Sequence, residues 1–235
     1  MKTKKSLFVI PAMVCLVLAG VILMDTLERS SSDDDRSGPE PAANVQPGRE
    51  DLERILFIEQ ELEEIGNESL AIAYYGELAG IYLTYERYDK AGEATEHMAG
   101  LTGAFRDWKN AGDLYHEWVM VAEDEESIGY FAGKAAGMYK NALELDPSRV
   151  DVKTDLAIEL MRLGRADQAV RHLEEVLALD PDYLSANFNL GVILHQMGNK
   201  DQSISYLKRS LDLAEGTEHE HTVRDFLQSN EMQNM

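Results

Sequence analysis

The sequence predicts an all-α chain of stacked helix pairs, and three observations predict it. A 34-residue spacing repeats along the C-terminal half, apolar residues recur at helical intervals inside each copy, and glycines and prolines fall where helices must stop. Leu156, Leu160 and Gly164 recur as Leu190, Leu194 and Gly198; Asp167-Gln168, Leu173, Leu177 and Leu179 recur as Asp201-Gln202, Leu207, Leu211 and Leu213. One interval earlier, Ala135, Tyr139, Leu143, Leu145 and Asp146-Pro147 stand where Ala169, Leu173, Leu177, Leu179 and Asp180-Pro181 stand later. One helix pair cannot cover its own apolar face, so such units fold by stacking.

Within each unit the residues argue for the same elements. Leu156 and Leu160 share one face of a first helix, and Ala169, Leu173 and Leu177 share one face of a second. Gly164 and Gly198 end the first helices, as glycine does just past a helix C-terminus. Pro147 and Pro181 stop the second helices and open the next unit. Small residues at Ala157 and Gly191 let two helices approach closely. On these residues the chain resembles the tetratricopeptide repeat (TPR) family. The resemblance implies a helix-turn-helix solenoid whose first helices line a protein-binding wall.

Weaker copies lie upstream. Tyr75, Leu78-Ala79, Tyr82, Tyr88 and Ala91 fit one, and Trp108, Ala111-Gly112, Tyr115, Ala135 and Tyr139 fit another. Tyr115 and Ala135 are 20 residues apart, against nine from Leu160 to Ala169, which predicts an acidic insertion over about 118–127. Four repeats follow, at about 70–103, 104–149, 150–183 and 184–215. Before them, 49–66 reads as an amphipathic capping helix with Leu52, Ile55, Ile58, Leu62 and Ile65 on its apolar side and Phe57 towards the polar side. After them, 218–229 reads as a C-terminal helix carrying Val223, Phe226 and Leu227.

The N-terminus reads as a single transmembrane anchor. Leu7 to Met24 holds 18 residues without a charge, about 27 Å of helix against a hydrocarbon core of about 30 Å. Lys2, Lys4 and Lys5 precede it and Asp25 and Glu28 follow it, which predicts a cytoplasmic N-terminus and an extracytoplasmic, periplasmic-side repeat domain. The other reading is a secreted protein, cleaved after Val17-Leu18-Ala19. A lipoprotein is disfavoured, because Val14 rather than a small residue precedes Cys15. Residues 25–48, with Ser30-Ser31-Ser32, three consecutive aspartates and three prolines, read as a disordered acidic linker.

Composition narrows the partners. The net charge is −21, with 43 acidic against 22 basic residues. That excludes a basic footprint for nucleic acid and favours a basic or neutral protein or peptide. Solubility, or adaptation to high salt, explains the same charge. The single cysteine rules out an intrachain disulfide.

No nucleophile elbow or phosphate-binding glycine loop is present, so no enzyme and no cofactor is expected. Glu218 and His219-Glu220-His221 lack metal-ligand spacing, and Asp33–Asp35 and Glu123–Glu126 lack the alternation of a calcium loop. No metal site is therefore expected. The resemblance places a partner-binding groove at Asp151, Thr154, Asp155, Ile158 and Arg162, then Ser185, Phe188, Asn189, Val192 and Gln196. It implies that Asn189 bonds an extended peptide backbone beside an apolar floor of Phe188 and Val192. With Arg162 as the one cation at these positions, an acidic peptide tail is disfavoured.

The expected function is a membrane-anchored scaffold or adaptor in the assembly, translocation or maturation of envelope proteins. A holding chaperone for unfolded extracytoplasmic clients, or a self-assembling scaffold, is the alternative. Homo-oligomerisation is left open.

Overall fold

The structure, a computed structural model, describes residues 47–232. The anchor predicted at Leu7–Met24 and almost all of the predicted linker lie outside the described residues. Among the described residues no helix is long and apolar enough to cross a membrane. The described chain is all-α, with ten helices and no strand: α1 Arg49–Glu64, α2 Glu68–Thr84, α3 Tyr88–Thr102, α4 Phe105–Val121, α5 Glu125–Leu145, α6 Val150–Arg162, α7 Ala166–Leu179, α8 Leu184–Gln196, α9 Lys200–Ala214 and α10 Glu220–Met232. It divides into two compact units, one ending at Asp180 and one beginning at Pro181.

In the first unit each helix from α1 to α7 packs against the next. The turns follow from the residues read above. Gly164 takes φ +71°, and the N–H of Arg165 reaches back to the Leu160 carbonyl (2.8 Å), which closes the end of α6. Asp146 and Asp180 each end a helix in extended backbone, one residue before a proline, as the steric demand of the proline ring requires. Asn67, the first residue of a glycosylation-type triplet, caps α2 by accepting a hydrogen bond from the Leu70 N–H (3.2 Å).

Small residues set the helix spacing. Gly112 of α4 lies under the ring of Tyr139 on α5, so close that a Cβ would sit 2.6 Å from Cε1. Gly92 of α3 meets Tyr115 of α4 in the same way, at 2.8 Å. Both tyrosines are fully buried, and their hydroxyls reach carboxylates: Tyr139 donates to Asp113 (3.1 Å) and Tyr115 to Glu96 (2.5 Å).

One expectation changes here, and another gains its structural form. The periodicity puts Leu52 on the apolar side of the capping helix, yet it is half-exposed while Ile55 and Ile58 are buried. The first turn of α1 is instead held by polar contacts, because Tyr85 donates to Asp51 (2.5 Å) and accepts from the Gly48 N–H (3.0 Å). That contact turns Asp51 towards α2 and leaves Leu52 outside. The extra residues of the second repeat, in turn, do not form a long loop. They lengthen α4 and α5 to 17 and 21 residues, and a three-residue connection joins the two. Asp124 caps α5 by accepting from the Ser127 N–H (2.7 Å).

In the second unit α8 packs on α9 and α9 on α10. A Cβ on Gly191 would lie 2.7 Å from Leu207 Cγ and 3.2 Å from its backbone nitrogen, so the close approach expected at Gly191 is present. Ser203 donates to the Gly191 carbonyl at the same crossing (2.7 Å). Gly198 takes φ +81° at the α8–α9 turn.

Candidate interaction surface

The ten residues predicted to line a groove fall on two helices, five on α6 of the first unit and five on α8 of the second.

On α6, Asp151 is bound by the Arg149 guanidinium (Nη2–Oδ2 2.5 Å, Nε–Oδ1 2.9 Å). Burial pushes the Asp151 carboxyl up, but these bonds outweigh it and hold the group below the ordinary aspartate range. Thr154 is buried and donates back to the Val150 carbonyl (2.8 Å), a contact internal to the helix. Asp155 is buried with Lys109 Nζ 4.0 Å away, and that lysine also binds Asp113 (2.8 Å). Ile158 is fully buried. The Arg162 side chain is only 4% exposed. Its Nη2 contacts Met120 Sδ at 3.3 Å, while Nε and Nη1 have no hydrogen-bond partner.

Next to these residues lies a pair that sequence reasoning missed. Glu159 is completely buried on α6, and its Oε1 meets Nδ1 of buried His116 on α4 at 2.5 Å. Arg162 Nη1 lies 3.9 Å from the same carboxylate oxygen. A polar triad of this kind, taken out of water, holds together only because each member partly offsets the desolvation of the others. Glu159 sits beside Ile158 in a stretch that the periodicity assigns to a helix face. Nothing in the spacing marks it as buried.

On α8, Ser185, Phe188, Asn189 and Val192 are all buried, and Gln196 is exposed. The ring of Phe226, on α10, lies edge-on against Phe188 with centroids 5.4 Å apart. The Ser185 hydroxyl and both polar atoms of the Asn189 amide are buried without a hydrogen-bond partner. By contrast, Asn187 donates to the Pro181 and Tyr183 carbonyls, each at 3.0 Å, and so braces the entry to α8. The ten predicted positions therefore form two stretches that are mostly closed to solvent, with the unsatisfied polar groups concentrated on Arg162, Ser185 and Asn189.

Elsewhere, Glu220 accepts from the Gly216 N–H (2.9 Å) and pairs with Arg224, which ties it into the start of α10. These bonds hold its carboxyl below the ordinary glutamate range. Among the described residues no group of three or more histidine, cysteine or acidic side chains is placed to hold a metal ion.

Residues 154–217 match the tetratricopeptide repeat family model. No curated protein matches the chain. Among solved structures, the thermophilic TPR protein TTC0263 of Thermus thermophilus superposes with a TM-score of 0.54 at 17% identity, over 92% of this chain and 97% of that one. MamA of AMB-1 superposes at 0.52 with 18% identity, over 72% of this chain and all of that one (100%). MamA of MSR-1 does so at 0.51 with 19% identity, over 71% and 88%. At these identities the likeness is one of fold. The match at residues 154–217 and these superpositions agree on an all-α, TPR-type fold for the described chain.

Proposed function

We propose that the protein is a non-enzymatic scaffold that holds a protein partner through its repeats. It is fixed at a membrane by Leu7–Met24, with the repeats on the extracytoplasmic side. The observation that carries the interaction reading is the pair of unsatisfied groups on α8. Ser185 and Asn189 stand one turn apart, both buried and neither bonded through its side chain. A buried amide left unbonded costs roughly 1–3 kcal/mol. An extended peptide laid along α8 supplies both the donor and the acceptor that it lacks. Phe226 rests on Phe188 beside them, so access requires this face to open.

The membrane reading rests on the uncharged run and on the order of charges around it, with three lysines before and acidic residues after. A role in the assembly, translocation or maturation of envelope proteins follows from that placement. Protease protection in sealed membrane vesicles tests the topology. Digestion of the repeats in right-side-out vesicles is expected; protection there overturns the orientation.

The interaction is tested by affinity purification of the full-length protein from gently solubilised membranes, with mass spectrometry, beside the double variant Phe188→Ala/Asn189→Ala. One partner at near-stoichiometric yield, lost in the variant, is the expected result. A partner retained by the variant removes α8 from the site. Recovery of many unrelated clients would favour a holding chaperone instead.

A further inference from the structure

The capping helix leaves an open cleft against the first repeat, lined by none of the predicted groove residues. It has a volume of about 310 Å³ and lies between α1, α2 and α3. A second hollow of about 340 Å³ continues it, sharing Leu62, Tyr75 and His97.

Its chemistry is of one kind. Leu62 and Leu78 supply the apolar lining. Tyr75 and His97 stack with ring centroids 5.1 Å apart and planes 15° from parallel, which gives the cleft a flat aromatic plate. Glu59 and Glu63 stand one turn apart on α1 at its edge. The one lysine or arginine that lines the cleft, Lys90, is already paired with Glu93 (2.7 Å). Glu59 takes only a long bond from the Tyr82 hydroxyl (3.3 Å), which leaves most of its acceptor capacity unused.

We propose that this cleft binds an arginine side chain of a protein partner. A guanidinium has an aliphatic stem for the leucine lining and a planar cation that stacks on the Tyr75–His97 plate. Its fork pairs bidentately with one carboxylate and leaves further N–H donors for the second, and Glu59 and Glu63 stand one helical turn apart. Lysine would keep the charge but lose the stacking and the fork. A neutral or acidic residue would leave Glu59 and Glu63 facing it without a counter-charge. The inference rests on the scaffold reading only in assigning the arginine to a protein partner. The residues involved are separate from Phe188 and Asn189.

The test uses the full chain in detergent micelles and the probe Ac-Gly-Ser-Arg-Ser-Gly-NH2, with its citrulline isostere as the uncharged control. Backbone amide NMR shifts report both affinity and location. The expected result is a saturable shift confined to α1, α2 and α3. Citrulline should bind about tenfold more weakly, and Glu59→Gln/Glu63→Gln should give a similar loss. Glu125→Gln/Glu126→Gln, an acidic pair elsewhere, should leave binding unchanged. Equal affinity for citrulline, shifts spread over the whole acidic surface, or binding untouched by Glu59→Gln/Glu63→Gln each overturns the proposal. Failure here with loss of a partner in Phe188→Ala/Asn189→Ala would leave the scaffold reading standing, and the reverse pattern would leave this cleft standing.

Discussion

His116 and Glu159 are 43 residues apart in sequence, yet their Nδ1 and Oε1 atoms lie 2.5 Å apart with both side chains buried. The contact joins α4 to α6, the first helices of two successive helix pairs. Removing one partner strands the other, with Arg162 beside it. Glu159→Ala should therefore destabilise the fold by about 3 kcal/mol, whereas Glu159→Gln, which keeps a hydrogen-bonding oxygen, should cost less. Urea denaturation followed by circular dichroism measures both. A cost below about 0.5 kcal/mol for the alanine variant would show that the pair contributes no net stability.

Gly112 and Gly133 make a matched contrast. A methyl group at Gly112 would collide with the fully buried Tyr139 ring, whereas one at Gly133 meets nothing within 4 Å. Gly112→Ala should destabilise by roughly 1–3 kcal/mol through overpacking. Gly133→Ala, in the exposed interior of α5, should stabilise by about 0.5–1 kcal/mol through helix propensity. Thermal melts of the two variants, run side by side, should move in opposite directions.

Gly198 turns the chain from α8 to α9 at φ +81°, a conformation that costs an L-residue about 1–2 kcal/mol. Gly198→Ala has open space around it, so its effect isolates that backbone cost. Gly198→Asn should recover part of the loss, because asparagine tolerates the left-handed region. Equal losses for the two variants in denaturation would show that space rather than φ governs the position.

Tyr82 should titrate late. Burial, then the neighbouring Glu59 carboxylate, pushes its hydroxyl up to about 12. The folded-state value is raised, so the stabilisation is fully present below the ordinary tyrosine range and is lost as pH rises through about 12. Tyrosinate absorbance of the wild type minus that of Tyr82→Phe should reveal one high-titrating group, and Glu59→Gln should lower it. A difference curve centred on the ordinary value of about 10 would contradict the half-buried placement beside Glu59.

The repeats near the C-terminus were legible in the sequence because one physical rule is written there more than once. Leucines four apart set a helix face, and Gly164 and Gly198 supply a backbone that other residues reach only at a cost. The acidic spacing in the second repeat was legible as extra length but not as helix. Only the packed structure shows α4 and α5 absorbing it. The ten groove positions were legible as first-helix positions. The closure of most of them to solvent, and the groups of Arg162, Ser185 and Asn189 without a hydrogen-bond partner, were not.

What the sequence determined by itself was the order of the helices, where the later ones turn, and which side of the later first helices carries their leucines. These depend on residues within a few positions of one another. Which distant groups meet was decided by the tertiary structure: Gly92 under Tyr115, His116 on Glu159, Asp51 rather than Leu52 turned towards α2, and Tyr75 stacked on His97 in an acidic cleft. Periodicity fixes the direction in which a side chain leaves its own helix, and it is silent about what the neighbouring helix brings to the same place.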